Sequence, residues 1–152
     1  MTVGIPVRVG ILLPRRPADL GEWLADAAAF DAAGADALWI DLEAGAGLDA
    51  LTLTAALAAT TGRVTLIARM PDGTAAEAVS TLRRLSRGRY VPVDEAGRWA
   101  RVAVPGSRAQ WTETLAKVEG DAVLVEADSR LLDLLRNPGE PGERHDLELA
   151  QG

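Results

Sequence analysis

Charged side chains of both signs directly follow the apolar runs of this chain. Asp41 and Glu43 follow one run, and Arg15, Arg16 and Arg69 follow two others. Two carboxylates that are two residues apart face the same side of an extended segment, and such a pair can perform acid and base steps when its pKa values are split. Arginine offers bidentate hydrogen bonds to phosphate oxygens. These residues are therefore candidates for acid–base chemistry and for binding an anionic cofactor.

Each candidate also has a purely structural explanation. Polar residues at strand ends are often solvated loop residues, and Arg69 could form a salt bridge with Asp41 or Asp72 instead of binding a ligand. Ala68 directly precedes Arg69 and is a further candidate for contact with a cofactor. Other residues expected at the same edge are Leu13, Pro14, Met70, Glu126 and Asp128.

Two other groups of titratable residues have weaker functional interpretations. Four arginines near the end of the predicted third helix suit the negative end of the helix dipole, and a phosphate clamp is the alternative. They are Arg83, Arg84, Arg87 and Arg89. The single histidine, His145, lies in a segment without apolar periodicity and is interpreted as a solvated residue.

Composition and missing motifs narrow the classes of function. The 152 residues include 22 acidic and 16 basic side chains, and the net charge of −6 opposes binding to nucleic acid or to anionic membranes. The absence of cysteine excludes disulfides and thiolate metal sites. The usual nucleotide-binding, hydrolase and zinc motifs do not occur. The sequence also lacks the patterns of a spanning helix and a signal peptide, so it predicts a cytoplasmic protein with no metal and no membrane or nucleic-acid partner.

Three strand-then-helix units must position the candidate residues. Apolar runs at residues 7–14, 36–41 and 63–69 are typical of strands that are covered on both faces, and an amphipathic helix follows each run. Such units build neighbouring parallel strands joined by right-handed crossovers. The carboxyl ends of parallel strands lie at one edge of the sheet, where ligands bind. Trp23 and Trp39 are expected to be buried.

The second half of the chain has a different pattern. Residues 90–94 and 98–104 are separated only by a short turn, which predicts an antiparallel β-hairpin. A last strand at residues 121–126 and a helix capped by Asp128 follow.

These elements make a single domain at residues 1–136. Residues 137–152 mix turn-forming and charged residues and predict an extended tail. The tail is either loose or wrapped around a neighbouring subunit through Leu147 and Leu149.

Four sequence words occur in the order and spacing of a known family. They are VGILLP at 9–14, FDAAGADALWI at 30–40, LTLTAALAATTGRV at 51–64 and TLRRLSRGRY at 81–90. Over about three fifths of its length, the chain resembles the amino-terminal part of the luciferase-like monooxygenases, which are flavin- or deazaflavin-dependent TIM-barrel enzymes. The resemblance implies an oxidoreductase with FMN or a deazaflavin as cofactor.

The chain departs from that family in two respects. The family often carries a histidine after its second strand, whereas residues 38–43 contain none. The family also holds the flavin phosphate with segments from its later strands, which are predicted to be missing here. A second hypothesis is therefore a non-catalytic relative that binds flavin without turnover, or an interaction module that pairs with a full-length homologue.

The predicted fold is an incomplete, TIM-barrel-like α/β sheet, because a closed barrel needs about 250 residues. It is mainly parallel, with one β-hairpin and with helices packed on the outer face. An unclosed sheet would expose a row of valine, isoleucine and leucine on its barrel-facing surface, at about 25 cal/mol per Å². The sequence therefore predicts a homodimer in which a second subunit covers this surface.

Overall fold

The computed structural model describes residues 6–137. Six β-strands, five α-helices and one short 3-10 helix alternate along them. In chain order they are β1 (Arg8–Leu12), α1 (Leu20–Ala33), β2 (Ala37–Ile40), α2 (Ala50–Thr60), β3 (Thr65–Ala68), α3 (Ala76–Leu85), β4 (Tyr90–Pro92), the 3-10 helix (Val93–Glu95), β5 (Ala100–Val102), α4 (Arg108–Lys117), β6 (Ala122–Glu126) and α5 (Arg130–Arg136).

All six strands form one parallel sheet in the order β4-β3-β2-β1-β6-β5. Strands β1 to β4 lie side by side in chain order, and β6 and then β5 lie on the other side of β1. In a closed eight-stranded barrel, the last strand pairs with the first, so the first four strands lie on one side of this junction and the last two lie on the other. The six strands here have the same order. The sheet therefore corresponds to a barrel frame that lacks two units between β4 and β5, which confirms the predicted incomplete, barrel-like α/β fold.

The predicted β-hairpin at residues 90–94 and 98–104 is wrong. Strand β4 pairs in parallel with β3, and β5 pairs in parallel with β6, so the two strands lie at opposite edges of the sheet. The sequence pattern identified two short strands but could not identify their partners. Each strand finds its neighbour far away in sequence, because the chain crosses the whole sheet between them.

The five helices cover one face of the sheet. Alternate strand residues pack into a single buried core, among them Ile11, Leu38, Leu66 and Val125. Every helix contributes buried side chains to the same core, including Trp23, Leu57, Leu82, Trp111 and Leu131. This arrangement follows from the period-two alternation of strand side chains and the apolar stripes of the helices.

Short polar residues fix the starts of the helices. The Asp19 carboxylate accepts a hydrogen bond from the amide of Glu22, and Asp49 accepts one from the amide of Thr52. Helix α3 has no side-chain cap, and the hydroxyl of the nearby Thr74 donates to the carbonyl of Pro71 instead.

The opposite face of the sheet, here called the inner face, is covered by the crossing segment, residues 93–99, which links β4 to β5. Trp99 packs edge-on against Trp39 with their ring centroids 6.2 Å apart. A Cβ atom on Gly10 would lie 2.9 Å from the Trp99 ring, so glycine is needed for this close approach. Residues on the inner face that are buried include Leu12, Ala37, Ile67 and Leu124.

The expectation that this face exposes a row of apolar side chains is therefore wrong. Ile67 is 1% exposed and Leu124 is 8% exposed within a single chain. Trp23 is buried, as predicted. Trp39 is only partly buried, because it lies on the inner face and not in the core beneath the helices.

Candidate functional site

Ion pairs between predicted site residues join two loops at the carboxyl edge of the sheet. The Arg15 Nε atom lies 3.1 Å from the Asp41 carboxylate, and the Arg16 Nε atom lies 2.7 Å from the Glu43 carboxylate. The backbone amide of Glu43 donates to the carbonyl of Arg15 at 3.0 Å. The edge thus collects charges of both signs, as the sequence predicted, but as two mutually neutralising pairs.

These ion pairs are open to solvent. The side chains of Arg15 and Asp41 are 54% and 58% exposed, and those of Arg16 and Glu43 are 72% and 41% exposed. Two carboxylates act as an acid–base pair when desolvation or mutual repulsion separates their protonation states. Asp41 and Glu43 are both exposed to solvent, and each is paired with its own arginine.

A groove of about 400 Å³ lies between the loops that follow β2 and β3. Asp41, Glu43, Arg69 and Asp72 all line it, so the fold brings several of the predicted residues to one place. Arg69 pairs with Asp94 at 3.7 Å and not with Asp41 or Asp72. Asp94 belongs to the 3-10 helix after β4, so the crossing segment determines the partner of Arg69.

Two of the predicted cofactor-binding features point away from this edge. Ala68 is completely buried in the core beneath the helices, so its side chain does not reach the groove. Arg89 turns inward and donates to the carbonyls of Ala58, Thr61 and Val64. It fastens the end of α2 to the start of β4, so its guanidinium is occupied by backbone carbonyls and is not part of an arginine cluster open to a ligand.

A second pocket at the carboxyl edge, about 370 Å³ in volume, lies between the loops that follow β5 and β6. Gly106, Ser107 and Arg108 line it at the start of α4, and Arg130 and Asp133 line it from α5. In TIM barrels, the loops after the last two strands and a nearby helix N-terminus often hold phosphate. Strands β5 and β6 lie beside β1, where the last two strands of a closed barrel would lie.

The two arginines of this pocket are held differently. The Arg108 side chain is 11% exposed, pairs with Asp133 at 2.6 Å and donates to the carbonyl of Asn137. The Arg130 side chain is 60% exposed and lies 3.0 Å from Asp128. Hydrogen bonds from the side chain and the amide of Arg130 hold the pKa of Asp128 below its usual value. The amides of Gln110 and Gly106 already donate to the Ser107 hydroxyl and to the Gln110 side chain. The pocket therefore offers the amides of the first turn of α4 that precede Gln110, and one accessible guanidinium.

The sequence pattern did not predict this pocket, because residues 98–104 were expected to pair with residues 90–94 in a hairpin. The local pattern that could have revealed it is PGSR at 105–108, a glycine immediately before a serine-capped helix. A glycine-containing turn that leads into a helix N-terminus is a common anion-binding arrangement.

Two further observations concern only the described part of the chain. Residues 6–137 contain no group of three or more histidine, aspartate or glutamate side chains that could hold a metal ion. None of the helices in this range has the length and apolar character needed to cross a bilayer. His145, Leu147 and Leu149 lie outside the described residues, as does the predicted tail after Asn137.

No model of a known protein family matches this chain, and no curated protein matches it.

Proposed function

We propose that this chain is a non-catalytic, flavin-binding relative of the luciferase-like monooxygenases. Two observations support the relationship. The sheet keeps the order of the first four and last two strands of an eight-stranded barrel. The four family-like words also fall on β1, α1 to β2, α2 to β3 and α3 to β4.

The observation that carries the non-catalytic assignment is the state of the carboxyl edge. Each predicted acid, base or phosphate ligand there is exposed and already paired with an opposite charge. In flavin enzymes the cofactor supplies the reactivity, and the protein supplies position and protection from water. The Arg69 side chain in the groove is 69% exposed, so a ring bound beside it would stay in contact with solvent.

The pocket between the β5 and β6 loops suits the phosphate of FMN or of a deazaflavin. The amides at the start of α4 and the exposed Arg130 are donors of the kind that phosphate prefers. Arg130 is paired with Asp128, just as Arg15, Arg16 and Arg69 are paired with carboxylates of their own. The feature that distinguishes this pocket is therefore the start of α4 beside it.

Binding of FMN and of riboflavin, measured by the change in flavin fluorescence, tests this proposal. Riboflavin lacks the phosphate, so we expect FMN to bind more tightly. Arg130→Ala should weaken FMN binding about tenfold, or ~1.5 kcal/mol, which is the lower end for a hydrogen bond to a charged group. The effect is small because the Arg130 side chain already interacts with Asp128. Arg69→Ala is the matched control and should leave the affinity unchanged.

Three outcomes would contradict the proposal. The first is the absence of FMN and deazaflavin binding at millimolar ligand. The second is equal affinity for FMN and riboflavin. The third is catalysis by the protein without a partner. If the protein alone accelerates the oxidation of a substrate by oxygen and reduced flavin, the non-catalytic assignment is wrong.

The second candidate is a flavin-dependent oxidoreductase whose site is completed by another polypeptide. The observation that favours it is the gap between β4 and β5, where two barrel units are missing. A second copy, giving a homodimer, or a full-length homologue would supply the strands and exclude water. Turnover that appears only when such a partner is added, or only above a threshold protein concentration, would favour this candidate.

A further inference from the structure

The outer side of β5 is an open sheet edge beside a groove. Strand β5 is last in the sheet order, so no other strand within residues 6–137 pairs with its outer side. A groove of about 540 Å³ lies between β5 and α4. Its lining includes Ala100, Val102, Thr114, Lys117 and Val118.

The sequence after the described residues contains a segment that fits such an edge. Residues 146–150 read DLELA, in which Leu147 and Leu149 alternate with Asp146 and Glu148. Strict alternation of apolar and charged residues is the pattern of a strand with one buried face. The surrounding residues 138–145 are rich in glycine, proline and charge and have no such period.

The linking residues are long enough for this segment to reach β5. The carbonyl of Asn137 accepts a hydrogen bond from Arg108, which begins α4. The groove extends to Lys117 at the other end of that helix, and a helix of 10 residues is about 15 Å long. Residues 138–146 can span about 30 Å when extended, so the distance is easily covered.

The charges also match. Ala100 and Val102 line the groove, so the intervening Arg101 lies on the inner face, where it pairs with Glu126 at 3.0 Å and stays 59% exposed. A strand that directs Leu147 and Leu149 into the groove directs its two acidic residues to the side of Arg101. Opposite charges on neighbouring strands are a favourable cross-strand pair.

We propose that residues 146–150 of the same chain add to β5 as a seventh strand and place Leu147 and Leu149 in the groove between β5 and α4. Main-chain hydrogen bonds then satisfy the open edge, and the two leucines reach the apolar part of the lining at Ala100, Val102 and Val118. This inference is independent of flavin binding, because the groove lies away from the two pockets at the carboxyl edge.

Disulfide trapping tests the proposal directly, because the native chain has no cysteine. Ala100→Cys or Val102→Cys is combined with Leu147→Cys or Leu149→Cys in the full chain. Neighbouring strands bring Cα atoms to the separation that a disulfide requires. At least one of the four pairs should form an intramolecular disulfide under mild oxidation. Arg84→Cys with Leu147→Cys is the matched control, since Arg84 is exposed beside the opposite sheet edge.

Failure of all four pairs, or equal trapping by the control, would overturn the proposal. A disulfide that forms only between two chains would also overturn it, because the segment would then belong to a second copy. Hydrogen exchange is the second measurement. Leu147→Asp with Leu149→Asp should increase the exchange rate of the β5 amides at least tenfold, whereas Glu140→Gln with Glu143→Gln should not. Unchanged exchange in the leucine variant would count against the added strand.

Discussion

Asp31 is a partly buried hydrogen-bond acceptor that fixes the turn at residues 62–64, just before β3. Its carboxylate accepts hydrogen bonds from the amides of Gly62, Arg63 and Val64 at 2.9, 3.2 and 2.9 Å. Partial burial alone would raise the pKa of Asp31, but these hydrogen bonds and the charge of Arg89 lower it below 3.8. Because the folded-state pKa is depressed, the stabilisation is present above the unfolded-state pKa and is lost as pH falls through the folded-state pKa.

Asp31→Asn should therefore destabilise the protein in a pH-dependent way. At pH 7 we expect the free energy of unfolding to fall by about 1.5 to 3 kcal/mol, the range for hydrogen bonds to a charged group. The deficit should shrink as pH falls below the unfolded-state pKa of about 4, and it should vanish only when the native carboxylate is protonated at its own lower pKa. Urea unfolding at pH 7 and pH 3 measures both values. Asp26→Asn, at an exposed position on the same helix, is the control. If Asp31→Asn lowers the free energy of unfolding equally at both pH values, the explanation is contradicted.

Gly10 is a second residue that decides the packing, because its lack of a Cβ atom leaves room for the Trp99 ring. A methyl group there would meet the Trp99 ring at 2.9 Å, so Gly10→Ala should cost about 1 to 3 kcal/mol through overpacking. Gly120→Ala is the control, because its Cβ would have nothing within 4 Å. Thermal unfolding of both variants provides the comparison. Equal melting temperatures would show that Trp99 moves freely away from the sheet.

The crossing segment is the element that distinguishes this fold from a bare open sheet. The Trp99 indole donates to the carbonyl of Ala96 at 2.9 Å, so the segment folds around this ring. The Arg8 guanidinium lies 4.9 Å from the centre of the same ring, and Trp39 packs edge-on against it. The segment thereby covers part of the inner face that the missing barrel units would otherwise enclose.

Trp99→Ala should accordingly lower the free energy of unfolding by about 2 to 3 kcal/mol. Replacing a fully buried tryptophan by alanine costs ~3 to 5 kcal/mol, and the effect is smaller here because Trp99 is only partly buried. A double-mutant cycle with Trp39→Ala should give a coupling energy of about 0.5 to 1.5 kcal/mol, typical of aromatic pairs. Chemical denaturation of the four proteins measures both quantities. Additive effects of the two substitutions would show that the rings do not stabilise each other.

For the molecule as a whole, burial of the inner face removes the original reason for a dimer. Ile67 and Leu124 are covered within one chain, and the exposed large apolar residues in the described part are Leu20 and Leu85. We therefore expect the full chain to sediment at micromolar concentration as a 16.0 kDa monomer. A stable species of twice this mass would instead favour the candidate function that requires a second copy, and its dissociation should then abolish any turnover.

The sequence by itself determined the features that depend on neighbouring residues. The apolar runs at residues 7–14, 36–41 and 63–69 predicted β1, β2 and β3, and the helical pattern after each run predicted α1, α2 and α3. The expectation that Asp41 and Glu43 gather with arginines at one edge was also correct, because the carboxyl ends of parallel strands share an edge whatever the details of packing.

Only the tertiary structure decided the features that depend on residues far apart in the chain. The strand partners of β4 and β5, the position of Trp99 over Gly10 and the pairing of Arg69 with Asp94 all follow from the path of the crossing segment. The physical reason is that strand periodicity specifies which face of a strand is buried but not which strand lies beside it. The neighbours are selected by the packing of the whole sheet, and the pocket between the β5 and β6 loops exists only because β5 crosses to the far edge.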